Sequence, residues 1–199
     1  MKKTSLIILF IFLANLSNAQ SFKKDNKAHR KEQNAQFKDP KESPLTKEDL
    51  ATFKKLEYFP LNEVYKVTAK LTVNPNPQLF KMITSTDRLP TYSTYGELTF
   101  EVNGEQLSLQ VYQNQQFLST EGYEDYLFVP FADETNGDET YGGGRYLDFR
   151  MPKTEEVEID FNKAYNPYCA YSDRYSCPKV PETNQLVIRI EAGVLNMDH

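Results

Sequence analysis

Histidine is almost missing from this chain, and that absence removes whole classes of chemistry. The 199 residues include two, His29 and His199, far apart in the sequence. A Ser/His/Asp or Cys/His centre needs an imidazole held beside its nucleophile, and neither histidine is placed for that. Cysteine is equally scarce. Cys169 and Cys177 have seven residues between them, which is not the C-x-x-C redox spacing, and no histidine stands near to complete a zinc site. There is no GxxxxGK[ST] run, so a P-loop has no support. No basic stripe appears either, and nucleic-acid binding rests on neutralising phosphates. No cofactor, no metal and no nucleic-acid partner are therefore expected.

Long apolar runs are also lacking. A membrane-spanning helix needs about 20 apolar residues, and the apolar core Leu6–Leu16 (LIILFIFLANL) is only eleven residues long. Lys2 and Lys3 precede that run and Ser17-Asn18-Ala19 follows it, the pattern of a cleaved signal peptide over 1–19. The expectation is an exported protein, periplasmic or extracellular, without a membrane span. Without Lys2 and Lys3 the basic residues fall from 23 to 21 against 28 acids, a formal charge of −7 on 180 residues. In an oxidising compartment an even cysteine pair reads as a disulfide. A Cys169–Cys177 bridge would contribute roughly 2.5 kcal/mol by loop closure.

Residues 20–44 read as a polar, lysine-rich arm, with a short helix around Ala28 to Phe37. Leu45 to Glu57 reads as an amphipathic helix capped by Thr46, with Leu50, Phe53 and Leu56 on one face. Beyond Pro60 the apolar period becomes two. Strands are expected at Tyr65–Val73, Leu79–Thr84, Leu98–Val102, Leu107–Val111, Tyr126–Phe131, Tyr146–Met151, Val157–Phe161 and Leu186–Ile190. Asn103-Gly104 marks a tight hairpin. With no long helices between strands, 45–199 reads as a single mainly β domain. Its expected form is an antiparallel β-sandwich or partly open barrel with short N-terminal helices.

The unusual residues gather between Asp133 and Pro181. Gly142-Gly143-Gly144 precedes Arg145, and such a turn can aim backbone N–H groups at an anion beside a guanidinium. Tyr146, Tyr165, Asn166 and Tyr171 would form walls with polar tips. Glu139, Asp148 and Asp160 are candidate catalytic carboxylates, provided that two converge with divergent pKa values. Each feature has a plainer reading: a turn with a paired arginine, exposed acids, or aromatic packing under loops.

The order Phe131-x-Asp133-x-Thr135-x-Gly137-x-Glu139-Thr140-Tyr141, Gly144-Arg145-Tyr146-Leu147-Asp148, Asp160-Phe161-Asn162 and Ala164-Tyr165-Asn166-Pro167 continues with Cys169-Ala170-Tyr171, Cys177-Pro178, Pro181, Asn184 and Glu191-Ala192-Gly193. Upstream, Thr84-Ser85-Thr86 and Tyr95-Gly96 fit the same pattern. In these residues the chain resembles the bacterial domain of unknown function family 1684 over about 45–193. The resemblance implies no reaction, substrate or cofactor. It does imply that the cysteine pair also occurs in members that do not look exported. Three readings stay open: a binding domain for a small polar or anionic ligand (a glycan or peptide terminus), a carboxylate-pair hydrolase, and a purely structural domain. Oligomeric state is left open as well.

Overall fold

A computed structural model describes the backbone of residues 2–197 and the side chains from Gln20 to Met197. The expected signal peptide falls outside the residues whose side chains are described. The element order is α1 (Lys2–Lys38), α2 (Lys47–Thr52), β1 (Lys66–Val73), β2 (Leu79–Lys81), β3 (Thr91–Val102), β4 (Glu105–Asn114), β5 (Tyr126–Phe131), β6 (Arg145–Arg150) and β7 (Glu156–Asp160). All strand pairs are antiparallel. The order across the sheet is β6-β5-β4-β3-β1-β7, with β2 also on β3.

That order forces curvature. β6 and β7 are the two ends of the path, yet only residues 151–155 connect them. Laid flat, five inter-strand gaps would span about 24 Å, whereas the connection reaches about 21 Å fully extended. The sheet therefore curls into a half-barrel, the partly open form of the expected architecture. Asn103 and Gly104 make the β3–β4 hairpin with φ of 53° and 88°, the two positive angles that a tight primed turn requires.

One face of the sheet carries the main core, including Leu71, Leu98, Leu109, Leu127, Val129 and Phe131. The C-terminal tail closes this core. Leu186, Ile190 and Ala192 are buried in it, but the expected strand at Leu186–Ile190 does not form. The apolar alternation is present, but pairing stops at one parallel bridge between Ala132 and Gln185, with Leu186 N–H donating to Ala132 O at 2.8 Å and Glu134 N–H to Ile188 O at 3.1 Å. Ile190 N–H donates to Asp133 Oδ2 at 2.7 Å, and the Ile190 and Ala192 carbonyls accept from Arg145. A polar network ties the tail down in place of a neighbouring strand.

Both N-terminal helices depart from expectation. α1 continues through the segment read as an arm, and it is docked: Phe22, Asn26 and Phe37 are buried. Asn26 Nδ2 donates to Asp160 Oδ2 at 2.8 Å. α2 starts where predicted, with Thr46 Oγ1 accepting from Asp49 N–H at 3.1 Å, but stops at Thr52. Leu56 N–H bonds Asn34 Oδ1 of α1 at 2.7 Å, so the chain continues extended across α1. Leu45, Leu56, Phe37 and Tyr171 still share one apolar cluster.

Candidate functional site

Alternation along β5 and β6 sorts the expected site residues between two faces. Arg145 and Leu147 point to the main core, while Tyr146 and Asp148 point the other way, since successive strand residues face opposite sides. Arg145 is completely buried and pairs with the buried Asp133 at 2.9 Å. Its guanidinium also donates to the carbonyls of Ala192 and Ile190, the latter at 2.9 Å. Burial lowers its pKa, and Asp133 opposes that effect. The expected anion anchor is thus an internal tie with no surface on which to meet a ligand.

The glycine turn does not serve Arg145 either. Gly144 N–H bonds Tyr141 O at 3.0 Å, and Gly144 has a φ of 87° with its α-carbon against Phe131 O. A Cβ there would sit 2.7 Å from that oxygen, so glycine is required by packing. Asn166 and Tyr171 are buried as well. Asn166 Nδ2 donates to Leu195 O at 3.1 Å, and Tyr171 packs edge-on against Phe37 at 4.9 Å. Gly142 and Gly143 line a cavity of about 300 Å³ that also touches Tyr141, Cys169 and Cys177.

The carboxylate candidates are dispersed. Glu139 lies near the surface with Arg189. Asp160 is buried beneath α1, accepting from Asn26 and from Asn162. Only Asp148 lies in the larger cavity, so no two of the three meet in that cleft. Among the described residues no three His, Cys, Asp or Glu side chains gather as a metal site.

The expected Cys169–Cys177 bridge is absent: both residues are free thiols. Their loop is held by hydrogen bonds instead. Cys169 N–H donates to Cys177 Sγ at 3.2 Å, Cys177 N–H to Ser85 Oγ at 3.1 Å, and Ser85 N–H to Cys177 O at 2.8 Å. The Cys177 thiol donates to the Cys169 sulfur. That bond, with help from Tyr141 and Ser85, lowers the Cys169 pKa to about 6, while Cys177 holds its proton far more firmly.

The principal cavity, about 450 Å³, lies on the sheet face opposite the main core. β3, β5 and β6 contribute Tyr92, Tyr126, Phe128, Tyr146 and Asp148, and α1 closes one side with Gln33 and Gln36. Tyr165, Tyr168 and Tyr175 come from the irregular segment after β7, and Phe117 from the loop before β5. The rings brace one another at steep angles. Phe128 meets Tyr146 at 4.7 Å and 80°, and Tyr146 meets Tyr165 at 5.8 Å and 89°. Tyr168 and Tyr175 are 5.1 Å apart at 63°. Edge-to-face contacts of this kind fix ring orientation.

Asp148 stands opposite Phe128 in the β5–β6 register. Its carboxylate accepts from Tyr165 OH at 2.6 Å and has Tyr126 beside it. Protein surrounds it in a concave wall, yet water still reaches it through the open side. The enclosure raises its pKa above the ordinary carboxylate value, against the two tyrosine hydroxyls and Arg150, which act to lower it. Burial likewise raises the Tyr126, Tyr146 and Tyr165 pKa values, keeping all three protonated.

Of the eight ligand-site residues expected from sequence, Tyr146 and Tyr165 therefore line the principal cavity, and Gly142 and Gly143 line the smaller one. Gly144, Arg145, Asn166 and Tyr171 belong to the packing. Sequence reasoning missed Tyr126 and Phe128 as walls, although their alternation with Leu127 and Val129 was there to be read. It gave no sign of Gln33 and Gln36, which only the docking of α1 brings in.

These features define a curled antiparallel half-barrel with an aromatic cavity on the face away from its core. The chain belongs to the family described as "Protein of unknown function (DUF1684)", whose model matches residues 51–195. It is similar to the solution NMR structure of the uncharacterized protein from Haloarcula marismortui, with 32% sequence identity and a TM-score of 0.70. That match covers 90% of this chain and 96% of the other. None of the curated proteins matches.

Proposed function

We propose that this protein binds a small organic molecule in the aromatic cavity between β3, β5, β6 and α1. The observation that carries the reading is the cavity itself. At about 450 Å³ it falls in the range of ligand sites, about 300–1,000 Å³, and it is walled by aromatic rings with few polar groups. The hydrolase reading loses its geometric basis, since Asp148 is the single carboxylate among the described residues that line the cavity.

Export is part of the same proposal. It is supported by the Lys2/Lys3 start, the Leu6–Leu16 run and the small-residue motif ending at Ala19. Among the described side chains of α1, Phe22 is the first that is buried. Cleavage before Gln20 would leave in place every buried side chain described on α1.

Ligand-observed NMR with sugars, amines, amino acids and organic acids tests the binding reading. Gln33→Trp, at a half-buried position on α1, narrows the cavity with little disturbance of the fold. At least one class should bind the wild type and be lost in a folded Gln33→Trp. Binding that ignores the blocked cavity, or no binding by any class, would overturn the proposal.

A further inference from the structure

The cavity offers aromatic faces and one negative charge, with little free hydrogen-bonding capacity. Tyr165 OH is engaged with Asp148 and Tyr146 OH with Pro178 O. Tyr168 OH accepts from Gln36 Nε2 at 2.7 Å, and Tyr92 OH is engaged with Asn114. Ser176 Oγ lies 2.6 Å from Thr86 Oγ1 and 3.2 Å from Arg88 Nε. A neutral sugar needs many unengaged donors and acceptors, because each hydroxyl it loses from water must be re-bonded. These walls have most of theirs committed.

Beyond the Gln33 amide and Gln36 Oε1 on the α1 side, what remains uncommitted is electrostatic. Asp148 is the one charged side chain lining the cavity, and it forms no ion pair among the described residues. Arg150, on the same face of β6, is held by Asp125 at 2.7 Å and by Gly122 O. Arg88 is held by Ser176 O at 2.7 Å. Aromatic faces carry negative quadrupole potential, and the lining is rich in rings that can offer a face to a cation. An anion would meet repulsion from both the carboxylate and the rings.

We infer that the ligand is an organic cation, an alkylated ammonium group seated against the rings with Asp148 as its counter-ion. This rests on the cavity being the binding site. The committed hydroxyls account for specificity through charge and shape in place of hydrogen bonds. They also explain why the polar tips along the sequence do not make a sugar platform.

Titration of isotope-labelled protein with tetramethylammonium, choline and 3,3-dimethyl-1-butanol, the neutral isostere of choline, tests the inference. Amide shifts in β5 and β6 report the cavity. The cations should bind at least about tenfold more tightly than the isostere. Asp148→Asn, or Asp148→Ser should the first fail to fold, should remove that preference and leave the isostere's affinity unchanged. Asp148 is exposed to water on the face of β6 away from the main core, so neither change opens the core. Equal affinity for isostere and cation, or cation binding indifferent to Asp148, would overturn the inference while the cavity shifts uphold the binding site. Glucose or acetate shifting the same amides when the cations do not would have that same meaning. Cavity amides that respond to none of the probes would count against both.

Discussion

The Arg145 guanidinium lies 2.9 Å from the Asp133 carboxylate, and neither side chain is accessible to water. Through Arg145 the pair also holds the Ile190 and Ala192 carbonyls, so it fastens the tail to the core face of β6. Removing one partner strands the other without solvent. Arg145→Ala should cost about 3–5 kcal/mol in urea unfolding. Asp133→Asn should cost a comparable amount, and the double variant less than the two added together. A loss under about 1 kcal/mol for Arg145→Ala would mean that the tie is dispensable.

Asn184 performs a related task between β4 and β5, which share a single register pair at Tyr112 and Phe128. Its amide donates to Gln110 O at 2.9 Å and Pro130 O at 2.7 Å, and accepts from Gln110 N–H at 2.8 Å. Pro130 has no N–H to give a neighbouring strand. Asn184→Ala leaves those groups unpaired at a fully buried position and should cost about 2 kcal/mol or more. Urea unfolding with an unchanged m-value is the expected readout; a neutral variant would contradict it.

Asp148 should make stability pH-dependent in the opposite sense to a salt-bridged acid. Its raised folded pKa gives a contribution that is complete below the ordinary carboxylate range, about 3.9, and lost as pH climbs through the folded value. Asp148→Asn stays neutral throughout. Its melting temperature should therefore gain on wild type between pH 3 and pH 7, and a constant difference would refute the assignment.

The two thiols should react unequally. Cys169 is half-buried with a pKa lowered to about 6, chiefly by the hydrogen bond from Cys177, which is itself buried. Alkylation by iodoacetamide, followed by peptide mass spectrometry, should show Cys169 modified with a midpoint near pH 6. An ordinary thiol titrates near pH ~8.5. Cys177→Ala removes the donor and should move the midpoint upward. Preferential labelling of Cys177 would reverse the assignment.

Much of the strand framework was legible because burial on one sheet face writes a period of two. β5 occupies Tyr126–Phe131 as expected, and the Asn103-Gly104 turn forms where its residues demand. The same rule, applied to Arg145-Tyr146-Leu147-Asp148, already separates Arg145 from Tyr146 and Asp148. Chemical type alone suggested grouping them. The tail was illegible for a different reason: Leu186 and Ile190 alternate like a strand, but Leu186 N–H goes to Ala132 O and Ile190 N–H to the Asp133 carboxylate, both distant in sequence. Nothing local shows that Asp133 will take the Ile190 N–H or that Asn34 will end α2 early. The cysteine spacing, in turn, fits a bridge and a hydrogen-bonded thiol pair equally well.

The docking of α1 bears on when the aromatic cavity comes into being. Its buried face meets Asp160 and Tyr168, from the last quarter of the chain, and β1 zips onto β7. An N-terminal stretch whose partners are synthesised last has nothing native to fold onto until translation is nearly over. Contacts between such distant stretches close slowly. The aromatic cavity is therefore complete only once the last quarter of the chain has been made and α1 has docked.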